Sequence, residues 1–198
     1  INKMKNMNLN DIYDQIWDDL KDGVKNTKSA FHYPIISTID KNGYPSSRTV
    51  VLREIHKENN IISFNTDIRS KKWLEIKNNN KISVSIYEPN KKIQIRIIGL
   101  AILNYKNKIW ESAWDSTPSM SRECYSTPYP PSTAISKPED IDTSLKKIKN
   151  EDLEKYKVNF GRIDIHIKSV DWLYLIHSGH RRTKFELSKN ISMSWLAP

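Results

Sequence analysis

The chain has 198 residues, 37% of them apolar, which suffices for one domain with a substantial core and argues against disorder throughout. Its longest apolar runs are only a few residues, no apolar block of signal-peptide length opens it, and its one cysteine, Cys124, cannot form an internal disulfide; a soluble cytoplasmic domain with no membrane partner is expected. The net charge is +9, but Lys recurs with Asn and Ile along the whole chain instead of gathering on one face, so nucleic acid is not the expected partner.

In chain order, residues 1–28 hold an N-terminal helix whose apolar positions Leu9, Ile12, Ile16, Trp17, Leu20 and Val24 have helical spacing, with Asn8 or Asn10 as cap. The period then changes to that of strands. Residues 33–39, an Asn42-Gly43 turn and residues 46–55 read as a hairpin, and 60–66 as a third strand. A short helix is predicted over 69–79, then a hairpin of 81–89 and 91–103 around Asn90, with Gly99 marking a bend or bulge. Helical pieces around 107–114 and 119–125 precede a proline-rich irregular connection, 126–140, and a Lys-rich helix, about 141–156. Strands over 159–167, 170–177, 181–187 and 192–198 follow, with a turn at Ser178-Gly179. The fold expected is a single domain over 1–198, mainly β with short helices, an antiparallel, closed or nearly closed barrel.

No glycine-rich phosphate loop and no nucleophile elbow is present, and the five histidines lack a tight ligand pair, so neither a P-loop nor a metal site is predicted. His177 and His180 flank a turn, and Cys124 lies beside Arg122. The strongest local signal is "FNTDIRSKK", residues 64–72, where a strand ends and Arg69, Lys71 and Lys72 follow within four residues. Local spacing leaves two readings open. The three cations form a solvated helix face with Asp67 as N-cap, or the helix start with Thr66 and Ser70 holds an anion.

Five pieces, "RTVVLR" (48–53), "FNTDIRSKK" (64–72), "QIRIIG" (94–99), the stretch around "SRECYS", and "DWLYLIHSGHRR" (171–182) with a terminal "WLAP", resemble the pyridoxamine 5′-phosphate oxidase family in their order. The wording of "TDIRSKK" and "GHRR" is similar to its uncharacterised FMN-binding branch. The resemblance implies an antiparallel Greek-key split β-barrel, FMN as cofactor, and a homodimer with the flavin at the subunit interface. It implies flavin contacts from Arg48, Thr49, Val50, Val51 and Arg53, from Asn65, Thr66, Ser70, Lys71 and Lys72, from Gln94, and from Trp172 and Arg182. Substrate contacts would come from Arg53, Arg122, Ser126 and His180. Arg48 and Arg53 have opposite parity on one predicted strand, so either the strand bulges or Arg53 points elsewhere, toward substrate.

The sequence also departs from the family pattern. Ser178 stands where the oxidase has an arginine over the substrate ring, and a glutamine is missing near Pro131-Ser132. FMN binding is thus the firmer expectation. The activity expected is hydride transfer to FMN from a small substrate, a phosphorylated pyridoxine-like molecule being one candidate, with no catalytic side chain assigned. The alternatives are a flavin carrier or sensor without turnover, and a basic binding protein without flavin.

Overall fold

Helix α1 (Leu9–Lys25) starts at a capping box in which the Asn8 side chain accepts from the Asp11 N–H and the Asp11 carboxylate from the Asn8 N–H. Its apolar stripe, Ile12, Ile16, Trp17 and Leu20, is buried against the sheet. The computed structural model describes residues 4–145 and 150–198.

Among the described residues nine strands make one antiparallel sheet: β1 (Ile35–Ile39), β2 (Pro45–Thr49), β3 (Leu52–His56), β4 (Ile61–Asp67), β5 (Lys81–Glu88), β6 (Ile93–Asn104), β7 (Phe160–Tyr174), β8 (Arg181–Leu187) and β9 (Ile191–Leu196). Their order is β2-β1-β5-β6-β7-β4-β3, with β8 and β9 added beside β7. The long strand β7 splits the barrel. Its first half pairs with β4 and its second half with β8, while β6 follows it from Tyr174 to Arg162. A single register row, Ile36, Val84, Ile97, Val170 and Phe185, crosses five strands with every member at most 2% exposed. That row is the centre of the core, as period-2 alternation requires of a sheet buried on one face.

Three expectations are corrected. Residues 46–55 form two strands, because β2 pairs with β1 and β3 with β4; the chain crosses between the barrel halves at Val50 and Val51. Conversely, the strands expected over 159–167 and 170–177 merge into one, β7, which stops at Tyr174, their break absorbed by a register shift opposite, between Ile98 and Gly99. A Cβ on Gly99 would meet the His166 carbonyl oxygen at 2.7 Å, so only glycine allows the strands this close. The single helix expected over 141–156 is instead α5 (Glu139–Leu145) and a 3-10 stretch, Asn150–Asn159, while residues 146–149 lie outside the described residues.

The other helices frame the site. They are α2 (Lys71–Asn78), α3 (Lys108–Asp115) and the short α4 (Ser119–Arg122). A second core cluster, Trp110, Trp114, Tyr125 and Phe160, fixes α3 against β7. Gly161 lets α2 pack there too, since a Cβ at that position would lie 2.5 Å from the Trp73 ring. No helix among the described residues is long and apolar enough to cross a membrane.

Candidate functional site

Strand β4 delivers its last residues directly to the start of α2. Thr66 and Ser70 are 5% and 3% exposed, and their hydroxyl oxygens lie 3.3 Å apart. The Lys72 ammonium donates to Thr66 Oγ1 at 3.0 Å and to Ser70 Oγ at 3.4 Å. Ser70 occupies the N-cap position of α2, yet its hydroxyl makes no capping bond and turns to this cluster instead. Asp67, the cap in one of the two open readings, accepts from the Arg69 backbone N–H at 2.8 Å and pairs with the Arg69 guanidinium at 2.6 Å. The three cations thus divide. Arg69 is bound to Asp67 and to the Thr127 carbonyl, Lys71 is exposed, and Lys72 is turned in over the hydroxyls.

Lys72 has its pKa lowered, first by burial and then by the neighbouring Arg48 guanidinium. Arg48 arrives from β2, which β1 holds beside α2. Its guanidinium donates to Ser46 Oγ at 2.6 Å, to Glu75 Oε2 at 2.9 Å and to Thr38 Oγ1. Lys72 thus sits on two buried hydroxyls, and Arg48, held by Thr38, Ser46 and Glu75, stands near enough to act on its charge. This fits the phosphate of FMN: a dianion would accept from Lys72 and the two hydroxyls, with Arg48 close by, and restore the basicity that Lys72 has lost.

Arg53 stands elsewhere. It follows Leu52 at a register shift in β3 and lines a cavity of about 820 Å³ between β3, β4, β7 and α3. The break between β2 and β3 thus answers the parity question: the two arginines sit on different strands. Asn65 faces the same cavity. Its amide donates to Thr117 Oγ1 at 3.3 Å, and its oxygen accepts from Arg162 at 3.0 Å. Of the other residues in the flavin strand, Val50 is buried, Val51 half-buried and Thr49 exposed.

Gln94 and Arg182 lie in one register row, Tyr87, Gln94, Leu173, Arg182, on the outer face of the sheet. Trp172 lies one residue over and points inward, 2% exposed, with its ring 6.1 Å from that of Tyr174. Neither Gln94 nor Arg182 bonds to the Lys72 cluster within this chain. Arg182 pairs with Asp171 at 2.8 Å, as does Arg96. Burial alone would raise the Asp171 pKa, but the hydrogen bonds from Arg182 and Arg96 outweigh it and hold the carboxyl below its ordinary value. His180 is exposed; its Nδ1 accepts from the Ile176 N–H at 3.1 Å, beside Gly179 at φ +111°.

Arg122 and Ser126 are engaged within the chain. The Arg122 guanidinium donates to the carbonyls of Thr117 (2.8 Å), Trp114 (2.9 Å) and Asp115 (3.2 Å) and stacks on the Trp114 ring at 4.7 Å. The Ser126 hydroxyl donates to the Glu123 carbonyl at 2.6 Å.

Sequence reasoning overlooked Glu75 and Thr38, which hold Arg48, and the buried Arg162, which joins Glu54, Asn65 and Asp164. A signal for the last existed: Arg162 and Asp164 share parity in one strand, so a buried face must carry both charges as a pair. Among the described residues no group of His, Cys, Asp and Glu converges that could hold a metal ion.

Comparison with known proteins gives a consistent picture. Residues 14–104 match the pyridoxamine 5′-phosphate oxidase FMN-binding domain, the segment that contains Arg48, Thr66, Ser70, Lys72 and Gln94. A pyridoxine/pyridoxamine 5′-phosphate oxidase of Legionella pneumophila is 34% identical over 86 residues, 43% of this chain and 38% of that one. The pyridoxine/pyridoxamine 5′-phosphate oxidase 2 of Arabidopsis thaliana is 33% identical over 105 residues, 50% of this chain and 53% of that one. The chain therefore spans about half or less of the curated relatives it matches. The fold extends further. A pyridoxamine 5′-phosphate oxidase-related, FMN-binding protein of Nostoc punctiforme superposes with a TM-score of 0.78 over 97% of this chain and 100% of its own, at 22% identity.

Proposed function

Because residues 14–104 match an FMN-binding domain of the pyridoxamine 5′-phosphate oxidase type, we propose that the chain is an FMN-dependent oxidoreductase acting on a small molecule. The observation that carries this reading is half-buried Lys72 on the buried hydroxyls of Thr66 and Ser70, with the Arg48 guanidinium near enough to lower its pKa. Bound there, FMN would supply a ring that accepts a hydride from a substrate C–H bond. The chain's own work is to anchor the phosphate, to orient the ring and to set positive charge near it.

The homodimer belongs to the same reading. Gln94 and Arg182 share the outer face of the sheet with exposed Ile35, Tyr87 and Ile98. A second copy laid on that face would cover the apolar side chains and bring these two polar groups to the partner's flavin site. A single, exposed thiol at Cys124 suits a reducing, cytoplasmic setting.

Anaerobic mixing of the FMN-loaded protein with candidate small molecules, pyridoxine 5′-phosphate among them, tests turnover. Bleaching of the visible flavin band on mixing, with its return on admitting air, is the expected result. A loaded protein that no such compound bleaches, but which yields its FMN to another flavoprotein, would favour the carrier reading instead.

A further inference from the structure

We propose that the cavity beside Arg53 takes a small organic carboxylate, a monoanion, in preference to a phosphate ester. The proposal rests on the oxidoreductase reading and names the substrate class of that site.

The cavity holds about 820 Å³, the size of a small-molecule site. Its lining carries three fixed cations, Arg53, Lys108 and Arg162, against two carboxylates, Glu54 and Asp164. Arg162 is closed off: its guanidinium is bound to Glu54, Asp164 and Asn65. His56 is on Glu54 as well, 3.1 Å away. What remains is one net positive charge, and among the described residues Arg53 is the half-buried cation of this lining that has neither a hydrogen bond nor an ion pair. Lys108 is likewise unpaired, but exposed at the rim.

One guanidinium fork matches one carboxylate in both charge and shape. A phosphate ester is a dianion near neutral pH and needs a second cation at the same point. The residues that the sequence offers for that duty are spent elsewhere. Arg122 closes the C-terminal carbonyls of α3 while stacked on Trp114, and Ser126 donates to its own turn. Drawing Arg122 away would take a donor from three carbonyl oxygens, of which that of Trp114 keeps the Thr117 N–H. Asn65, Ser116 and Thr117 supply neutral polar walls suited to an uncharged ring or chain.

The test is calorimetric titration of the protein, with and without added FMN, using nicotinate and pyridoxine 5′-phosphate as probes. Bound FMN is counted separately by absorbance. Nicotinate is expected to bind more tightly than pyridoxine 5′-phosphate, and Arg53→Met to weaken nicotinate by about tenfold or more. Arg53→Lys, which keeps the charge but loses the fork, should fall between them. Tighter binding of the phosphate ester, no nicotinate binding, or nicotinate binding that ignores Arg53→Met would each overturn the proposal. If a variant fails to fold, the order of the two probes on the unaltered protein decides. A protein that takes no FMN yet binds nicotinate through Arg53 would sink the oxidoreductase reading and leave this assignment standing.

Discussion

Replacing Lys72 with methionine is expected to weaken FMN binding by about 30- to 100-fold while leaving the FMN-free protein at least as heat-stable as before. The first effect follows from charge-assisted hydrogen bonds to a phosphate, worth roughly 2–3 kcal/mol where the cation is partly desolvated. The second follows from the state of Lys72 without its ligand. Burial and the adjacent Arg48 guanidinium lower its pKa, so its ammonium is disfavoured in the folded chain. Methionine keeps much of the side-chain volume and removes that penalty.

The pH dependence has a definite sign. Because the folded pKa lies below the unfolded one, Lys72 reduces stability at pH values below its folded pKa, and this reduction fades as pH rises toward the ordinary lysine value of about 10.5. Phosphate binding would reverse the shift, so the Lys72 contribution to FMN affinity is full between the second phosphate pKa, about 6, and the ligand-free pKa of Lys72, and fades at higher pH. Flavin-fluorescence titration and thermal melts of both proteins check these statements. An unchanged dissociation constant would mean that Lys72 does not touch the phosphate.

Arg162→Leu is expected to cost about 3–5 kcal/mol of stability, a drop in melting temperature on the order of 10 °C for a chain of this size. The Arg162 side chain is 4% exposed, and it is ion-paired with Asp164 at 3.4 Å and with Glu54. Glu54 is half in solvent, so losing its partner costs little there. Asp164 is the liability. It is 8% exposed and keeps only the neutral donors Ser63 and Asn104 once the guanidinium is gone. Replacing both Arg162 and Asp164 with leucine should recover part of the loss, because no unpaired charge then stays buried. If the double variant melts lower than the single one, burial of Asp164 is not the cause. Arg162 also holds Asn65 against Thr117, so the single variant should loosen the wall of the Arg53 cavity.

Much of this architecture is legible in the residue pattern, and the places where it is not are instructive. Alternation at Ile93, Ile95 and Ile97 marks the buried face of β6, and Gly99 marks the bulge where its pairing to β7 shifts. The pattern in "SSRTVVLREI" looks like one strand because alternation carries no record of which partner each half pairs with. Pairing is decided by residues far away in the chain, Ile36 for Arg48 and Phe64 for Leu52. The capping role given to Asp67 fails for a related reason: a cap is recognised by type, but here Arg69 two residues on captures the carboxylate locally. Ser70 then takes the cap position with its hydroxyl free to face Lys72. Glu75 looks like an exposed position of an amphipathic helix, yet the helix rolls it onto Arg48. Arg122 and Ser126 also bond within the chain, which residue type and position alone do not announce, since neither says what else competes for a side chain's hydrogen bonds.

Titrating the FMN-free protein with FMN and, separately, with riboflavin tests the central claim most directly, because the two ligands differ only in the phosphate. If Lys72, Thr66, Ser70 and Arg48 grip that phosphate, FMN saturates at about one per chain and riboflavin binds at least about 30-fold more weakly. Equal affinity for the two, or no uptake of FMN, would contradict the assignment of this cluster.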